Sequence, residues 1–479
     1  MKGNKLIDME SRGIGAVAGQ ESKWWTQRLA GPVIAAAVVR LALLIFIIAR
    51  SGVSVLTQPD TGTYLQPGRN LLLHGSFVAD GVPDLLRTPG YPIFLALFSL
   101  AGPVAAALAN VILSVFSVLL VWRLARTVFD DERVALGAAW IFAFELISVV
   151  SSVVLMSETL FVVLFLLSMG QLAQFLHSRQ LRAIVAAGLW LAAATFVRPF
   201  SYYLPIALAL GLFVVLARLP GLRWKAPAVL LLSVLPWLAV WQLRNKVETG
   251  YGGFTSAADL FFYFFVAPEV TAKVENKHFA DVRKDLGYVE FANHNGQDYL
   301  YQPYLAAHPE QVGWNQAQRL AYMHSEANRV LRAHPGIYLR SCFTGLVKVV
   351  FDPGTTFLDR LLSKPDPAQH PGDLQDKGVV RWGIALVKSH PWLMVERAAF
   401  GLVLLGLYFF AARGVVHGDM QTSCLLLLLG TSLYFFAVSA TVGLNGAEVR
   451  YRLSVMPFVC IFAAAGFLRA KHVARPVAG

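Results

Sequence analysis

Residues 31–50 read GPVIAAAVVRLALLIFIIAR. A run of this length with one interior charge, Arg40, is what a helix needs to cross the ~30 Å hydrocarbon core of a bilayer. Similar runs recur at about residues 104–122, 134–150, 153–176, 183–197, 200–217, 226–243, 393–411, 421–441 and 453–468. Of the 479 residues, 56% are hydrophobic and 15% charged, and the mean hydropathy is +0.56. These features give an all-α fold: a polytopic transmembrane helical bundle of about ten spans. Cys342, Cys424 and Cys460 form no CxxC pair and sit in apolar stretches, so they read as buried small hydrophobes. The first 30 residues are polar and carry no early apolar core, so no cleavable signal peptide is apparent.

The connections set the orientation. Arg123–Arg133, Arg179–Arg182 and Arg218–Lys225 alternate with connections poor in free basic residues, and two of the three hold no acid. The positive-inside rule makes them cytoplasmic. Residues 1–30 are then a cytoplasmic tail behind the interfacial Trp24 and Trp25. Residues 31–468 form the membrane domain, with an outer loop at 51–103 and a large outer loop at 244–392, and residues 469–479 form a second cytoplasmic tail. The apolar island at 336–351 carries Arg340 and Lys348 and is short, which suits a helix lying in the interface. The loop bias absorbs much of the net charge of +12, which would otherwise suggest nucleic acid; the bilayer is the expected partner and nucleic acid is not.

Under this topology the outer ends of the helices gather Asp60, Arg87, Glu158, Arg198, Arg244, Arg450 and Arg452. Charges at membrane depth need a partner, a ligand or a snorkelling route, and acids and arginines converging on one face suggest an anionic ligand. Asp60 follows the first span with Tyr64 a turn later. Its carboxylate suits a proton acceptor, a divalent-cation ligand or the N-cap of PDTGTYL. Arg87, in LLRTPGYP just before Tyr91, is aimed by a Pro/Gly turn and can fork onto a phosphate or meet lipid headgroups. Glu158 is expected about two turns into the fourth span. Arg198 and Arg244 each end a span, and of Arg450 and Arg452 one is expected to face a site. Arg40 and Glu145, deeper, read as structural partners of each other or of backbone. Asp259 and the Phe/Tyr-rich run 261–265 suit either a groove for an apolar chain or an interfacial aromatic belt. His278, His294, His308 and His324 show no zinc-ligand spacing.

These residues form an ordered set. DTGTY at 60–64, GSF at 75–77 and RTPGYP at 87–92 are followed by SETLF at 157–161, RP at 198–199 and PW at 236–237. RN at 244–245, HP at 334–335 and RYR at 450–452 complete the series. The set resembles the C-type (GT-C) membrane glycosyltransferases, in the branch of the dolichyl-phosphate-mannose protein mannosyltransferases and the lipid A aminoarabinose transferase. The resemblance implies inverting transfer of one sugar from a polyprenyl-phosphate donor to a hydroxyl of a lipid, glycan or protein acceptor. Transfer would take place on the outer, periplasmic face of a bacterial-type inner or plasma membrane. It implies Asp60 as general base, Glu158 as the second acid and Arg87, Arg198, Arg244, Arg450 and Arg452 as donor-phosphate ligands. Tyr64, Tyr91 and Asp259 then line the substrate groove. The first loop has one acid where relatives carry a pair, so a divalent metal on Asp60 and Glu158 stays open as the cofactor. No soluble carbohydrate-binding insert is seen.

The chemistry of the residues agrees. Departure of the sugar turns a phosphodiester into a monoester and adds negative charge, which fixed guanidiniums stabilise more in the transition state than in the ground state. A glycan polymerase or ligase with a diphosphate-linked donor is the enzymatic alternative. A transporter or flippase of lipid-linked sugar would want charges at the midplane and related halves.

Overall fold

The computed structural model describes residues 28–288, 304–362, 388 and 391–473. Trp24 and Trp25, His294, the stretch after Leu362 and the side chains beyond Leu468 lie outside this description. Helices dominate; the strands seen are the antiparallel pair Val78–Ala79 and Val82–Pro83 in the loop at 51–103.

Six of the described helices are long and apolar enough to cross a membrane: Arg28–Ser51, Pro103–Phe129, Glu158–Ser178, Pro220–Thr249, Pro391–His417 and Thr422–Thr441. Shorter apolar helices, Leu181–Val197, Pro199–Val215 and Met456–Leu468, stand where three further spans are expected. On Arg28–Ser51, Ile34, Val38, Leu41 and Ile45 are exposed at helical spacing, a face suited to lipid tails. Its opposite face buries Arg40, which donates to Ser114 Oγ (2.7 Å), the Ala143 carbonyl (2.8 Å) and Ser148 Oγ (3.0 Å). A guanidinium at this depth is thus satisfied by neutral acceptors of neighbouring helices.

The stretch expected as two spans, 134–150 and 153–176, is interrupted. Helix Glu132–Ala143 ends before Glu145, whose carboxylate accepts from the amides of Ile147 and Ser148 and opens the short helix Leu146–Ser151. Residues 152–157 are irregular, and Asn110 Nδ2 and Thr61 Oγ1 donate to the Val154 and Leu155 carbonyls at 2.8 and 3.0 Å. Non-helical backbone is tolerated here because protein side chains replace the missing helical bonds. The next helix therefore starts at Glu158, which is its first residue and not two turns inside it.

The loop that follows helix Arg28–Ser51 is folded onto the bundle. Helix Thr61–His74 ends at Gly75, whose φ of 69° is the left-handed turn glycine accepts most easily. Helix Gly90–Ser99 then starts against helix Leu181–Val197 so closely that a Cβ on Gly90 would lie 2.6 Å from the Phe196 carbonyl. Glycine at this one position lets the Arg87 turn approach the end of the helix that precedes Arg198. The island Pro335–Phe351 is a helix with Leu339, Phe343 and Val347 exposed and Ser341, Gly345 and Val349 buried. An apolar outer stripe of this kind suits an interfacial position.

Candidate active site

Four separate parts of the chain meet where helices begin and end. Asp60 and Arg87 come from the first loop, Glu158 from the start of its helix, Arg198 from the residue that ends helix Leu181–Val197, and Arg450 from the turn Val449–Ser454. Their charges alternate in a continuous chain. Arg87 Nη2 is 3.1 Å from Asp60 Oδ1, and Asp60 Oδ2 is 3.5 Å from Arg450 Nη2. Arg450 Nη1 is 3.3 Å from Glu158 Oε1, which is 2.6 Å from Arg198 Nη1. Glu448 pairs with Arg450 Nε at the rim.

Local structure fixes each member. The Asp60 side chain makes no capping hydrogen bond; its carbonyl opens the helix instead, accepting from Thr63 N (3.1 Å) and Thr63 Oγ1 (2.7 Å). Of the readings open to Asp60, side-chain capping is therefore not the one adopted. Arg87 donates through Nε to Thr63 Oγ1 (2.9 Å) and through Nη1 to the Tyr64 hydroxyl (3.0 Å), with its guanidinium 4.1 Å over the Tyr64 ring. Tyr64 meets the buried Tyr91 edge-on at 5.0 Å. Arg198 sits over the Tyr451 ring, which stacks on Phe200. Glu158 stands at a helix N-terminus, where the helix dipole favours a carboxylate.

Burial would raise the Asp60 carboxyl, but the guanidiniums of Arg87 and Arg450 outweigh it and hold the group below the usual carboxylate range. For Arg450, burial opposes the charge, and Glu448, Glu158 and Asp60 together override it and push the guanidinium further up. Asp84, fully buried in the turn before Arg87, is pushed up to about 6 by burial, although it accepts from the amides of Leu86 and Arg87 and faces the charges of Arg87 and Arg244.

Three expected site residues lie elsewhere. Arg452 is buried and donates to the carbonyls of Val349, Val350 and Asp352 at 3.0, 2.8 and 2.7 Å, tying off the end of helix Pro335–Phe351. Arg244 pairs with Glu248 (2.6 Å) and donates to the carbonyls of Phe77 and Asp84. Asp259 accepts from the Tyr251 hydroxyl (2.7 Å) and faces His324 Nδ1 (2.9 Å). Of the run 261–265, Tyr263 and Phe264 are buried in a cluster with Leu85, Tyr304, Leu320 and Met323, and Phe261, Phe262 and Phe265 are half-buried. Arg40 and Glu145 bond mainly to backbone and hydroxyls, the second of the two arrangements expected. Sequence reasoning missed Glu448, Thr63 and Ser157, whose hydroxyl lies 3.4 Å from that of Tyr64.

Among the described residues no three His, Cys, Asp or Glu side chains come together to hold a metal ion. Between Asp60 and Glu158 stands the Arg450 guanidinium, bonded to both. As arranged, this donor set is matched to anions, and it does not fit a divalent cation without displacing Arg450.

Residues 89–243 match the family model of the dolichyl-phosphate-mannose-protein mannosyltransferases. The resemblance read from the sequence is borne out over that segment, which holds Glu158 and Arg198. Similar solved structures include the oligosaccharyltransferase AglB of Archaeoglobus fulgidus in complex with an inhibitory peptide and a dolichol-phosphate. It is 14% identical with TM-score 0.46, over 96% of this chain and 53% of that one. ArnT of Cupriavidus metallidurans bound to undecaprenyl phosphate is 13% identical with TM-score 0.34, over 92% of this chain and 78% of that one. The chain thus spans about half the length of the archaeal enzyme. No curated protein matches it by sequence.

Proposed function

We propose that the protein is a membrane glycosyltransferase that moves a sugar from a polyprenyl-phosphate donor to an acceptor hydroxyl, with inversion. The observation that carries this is the alternating chain Arg87–Asp60–Arg450–Glu158–Arg198. In it Arg87 and Arg450 share the Asp60 carboxylate, and Arg450 and Arg198 share that of Glu158, which supports an anionic ligand. Each guanidinium has five N–H groups and can exchange a carboxylate oxygen for a phosphate oxygen without losing its hydrogen bonds.

In this reading the donor phosphate engages Arg87, Arg450 and Arg198, which stabilise the charge gained as the glycosidic C–O bond breaks. Asp60, ionised across the physiological range, accepts the proton of the attacking hydroxyl. Its two guanidinium partners make it a weak base while they bond to it, and their transfer to the incoming phosphate makes it a stronger one. Glu158 holds Arg198 and Arg450 in register. The prenyl tail lies between helices of a ten-span bundle with both termini cytoplasmic and the cluster on the outer face. The donor class is supported by the family whose model matches residues 89–243. The test is to offer the purified protein a panel of radiolabelled polyprenyl-phosphate sugars with membrane extract. Label should move from one donor to an acceptor; no transfer from any monophosphate donor, with transfer from a diphosphate-linked one, would replace this reading by the polymerase or ligase one.

A further inference from the structure

The three residues that precede Arg87 have their carbonyls taken one after another by a single distant segment. Arg244 Nη1 donates to the Asp84 carbonyl at 3.0 Å, the Ser256 amide to the Leu85 carbonyl at 2.7 Å, and Thr255 Oγ1 to the Leu86 carbonyl at 2.7 Å. On its other side the same turn is held by its own carboxylate, since Asp84 Oδ1 accepts from the amides of Leu86 (2.6 Å) and Arg87 (3.1 Å). Leu85 and Leu86 are buried beneath it. The donor segment is itself rigid: Asn245 Nδ2 donates to the Gly253 and Phe254 carbonyls, and Trp241 Nε1 also donates to Phe254.

A short turn has few backbone bonds of its own, so its shape depends on the groups that satisfy its carbonyls. Here the exit from helix Pro220–Thr249 and the loop after it supply those groups. Arg87 leaves this pinned backbone one residue later and reaches Asp60, Thr63 and Tyr64.

We infer that Thr255, together with Arg244 and Ser256, is a positioning residue for Arg87 and sets the placement of its guanidinium for an anionic ligand. This rests on the reading of Arg87 as a donor-phosphate ligand. It also gives Arg244 a role one step removed from the ligand. Thr255 is the informative member, because its hydroxyl donates directly to the carbonyl next to Arg87 and also accepts from the Ala257 amide.

The experiment measures binding of radiolabelled undecaprenyl phosphate to the full-length protein in lipid nanodiscs, for wild type, Thr255→Val, Arg87→Ala and the double variant. Thr255→Val is expected to weaken binding about 3- to 10-fold, the worth of one net hydrogen bond. In the Arg87→Ala background it should weaken binding by no more than about twofold, because a residue acting through Arg87 has nothing left to act on. Thr255→Ser, which keeps the donor, should bind within about twofold of wild type. An equal loss in both backgrounds, or no loss from Thr255→Val while Arg87→Ala binds poorly, overturns the positioning role and leaves the phosphate reading standing. Wild-type binding by Arg87→Ala overturns both. If Thr255→Val does not fold, Arg244→Gln, which acts on the Asp84 carbonyl, goes through the same cycle with the same outcomes.

Discussion

Neutralising Asp60 separates the two parts of the proposed mechanism, because it should move turnover and donor binding in opposite directions. Asp60→Asn keeps the side-chain shape and removes one negative charge next to Arg87 at 3.1 Å and Arg450 at 3.5 Å. Unit charges ~4 Å apart interact by about 4 kcal/mol at an effective dielectric of ~20. The Asp60 side chain is 23% exposed, so solvent screening brings the net worth of each pair down to about 1 kcal/mol. The two guanidiniums released from the carboxylate should then hold a phosphate more tightly, by up to about thirtyfold for two pairs of about 1 kcal/mol each. Loss of the general base should slow turnover by about 10²- to 10⁴-fold. Binding of radiolabelled undecaprenyl phosphate gives the first quantity and single-turnover transfer of label the second. Turnover within tenfold of wild type would remove Asp60 as the base. Weaker donor binding would show that its charge organises the arginines more than it competes with the phosphate.

Other outcomes bear on the neighbouring residues. Arg450→Ala should raise the donor Kd sharply, whereas Arg452→Ala should leave it near wild type and lower stability by about 3 kcal/mol, because three buried carbonyls lose their donor; thermal unfolding in detergent beside the binding assay checks both. Glu158→Gln removes the carboxylate between Arg198 and Arg450, leaving Arg450 its pairs with Asp60 and Glu448, and should cost about 3 kcal/mol in the same unfolding measurement. Asp84 has its folded pKa raised to about 6 from 3.8, so its contribution is fully present below about pH 4 and is lost as pH rises through 6. The loss is about 3 kcal/mol, from the difference of about two units at 1.36 kcal/mol each. Protection of the first loop from proteolysis should follow that curve and be flat in Asp84→Asn. Single cysteines at Val312, which is exposed, and at Ser363, beyond the described residues, should both react with an impermeant reagent in intact cells if the helix Pro335–Phe351 lies in the interface. Protection of the second alone would mean that the helix crosses.

Five members of the charged chain, Asp60, Arg87, Glu158, Arg198 and Arg450, were legible in the sequence for one reason. Each is a charge at the edge of an apolar run, where the membrane makes an unpartnered charge costly. That argument is blind to distance and direction, so it also admitted Arg244 and Arg452, which satisfy the same cost through backbone carbonyls. It gave no means of choosing between Arg450 and Arg452, which lie two residues apart in a turn of 3-10 type with one side chain in the cluster and the other under the neighbouring helix. Glu448 carried no signal, being an acid in a polar loop until its partner is known.

Apolar runs of membrane-crossing length, their order and the sign of the charges between them follow from composition along the chain, because the bilayer imposes one local rule on every segment. By itself the sequence therefore determined a helical membrane bundle with charges at the edges of its apolar runs. Only the tertiary structure decided that the helix expected from about 153 begins at Glu158, because the bonds that hold residues 152–157 open come from Asn110 and Thr61, far away in sequence. Only it decided that Arg450 stands between Asp60 and Glu158, since that contact joins residues from opposite ends of the chain. Pairing of charges depends on where helices end relative to one another, and packing sets that.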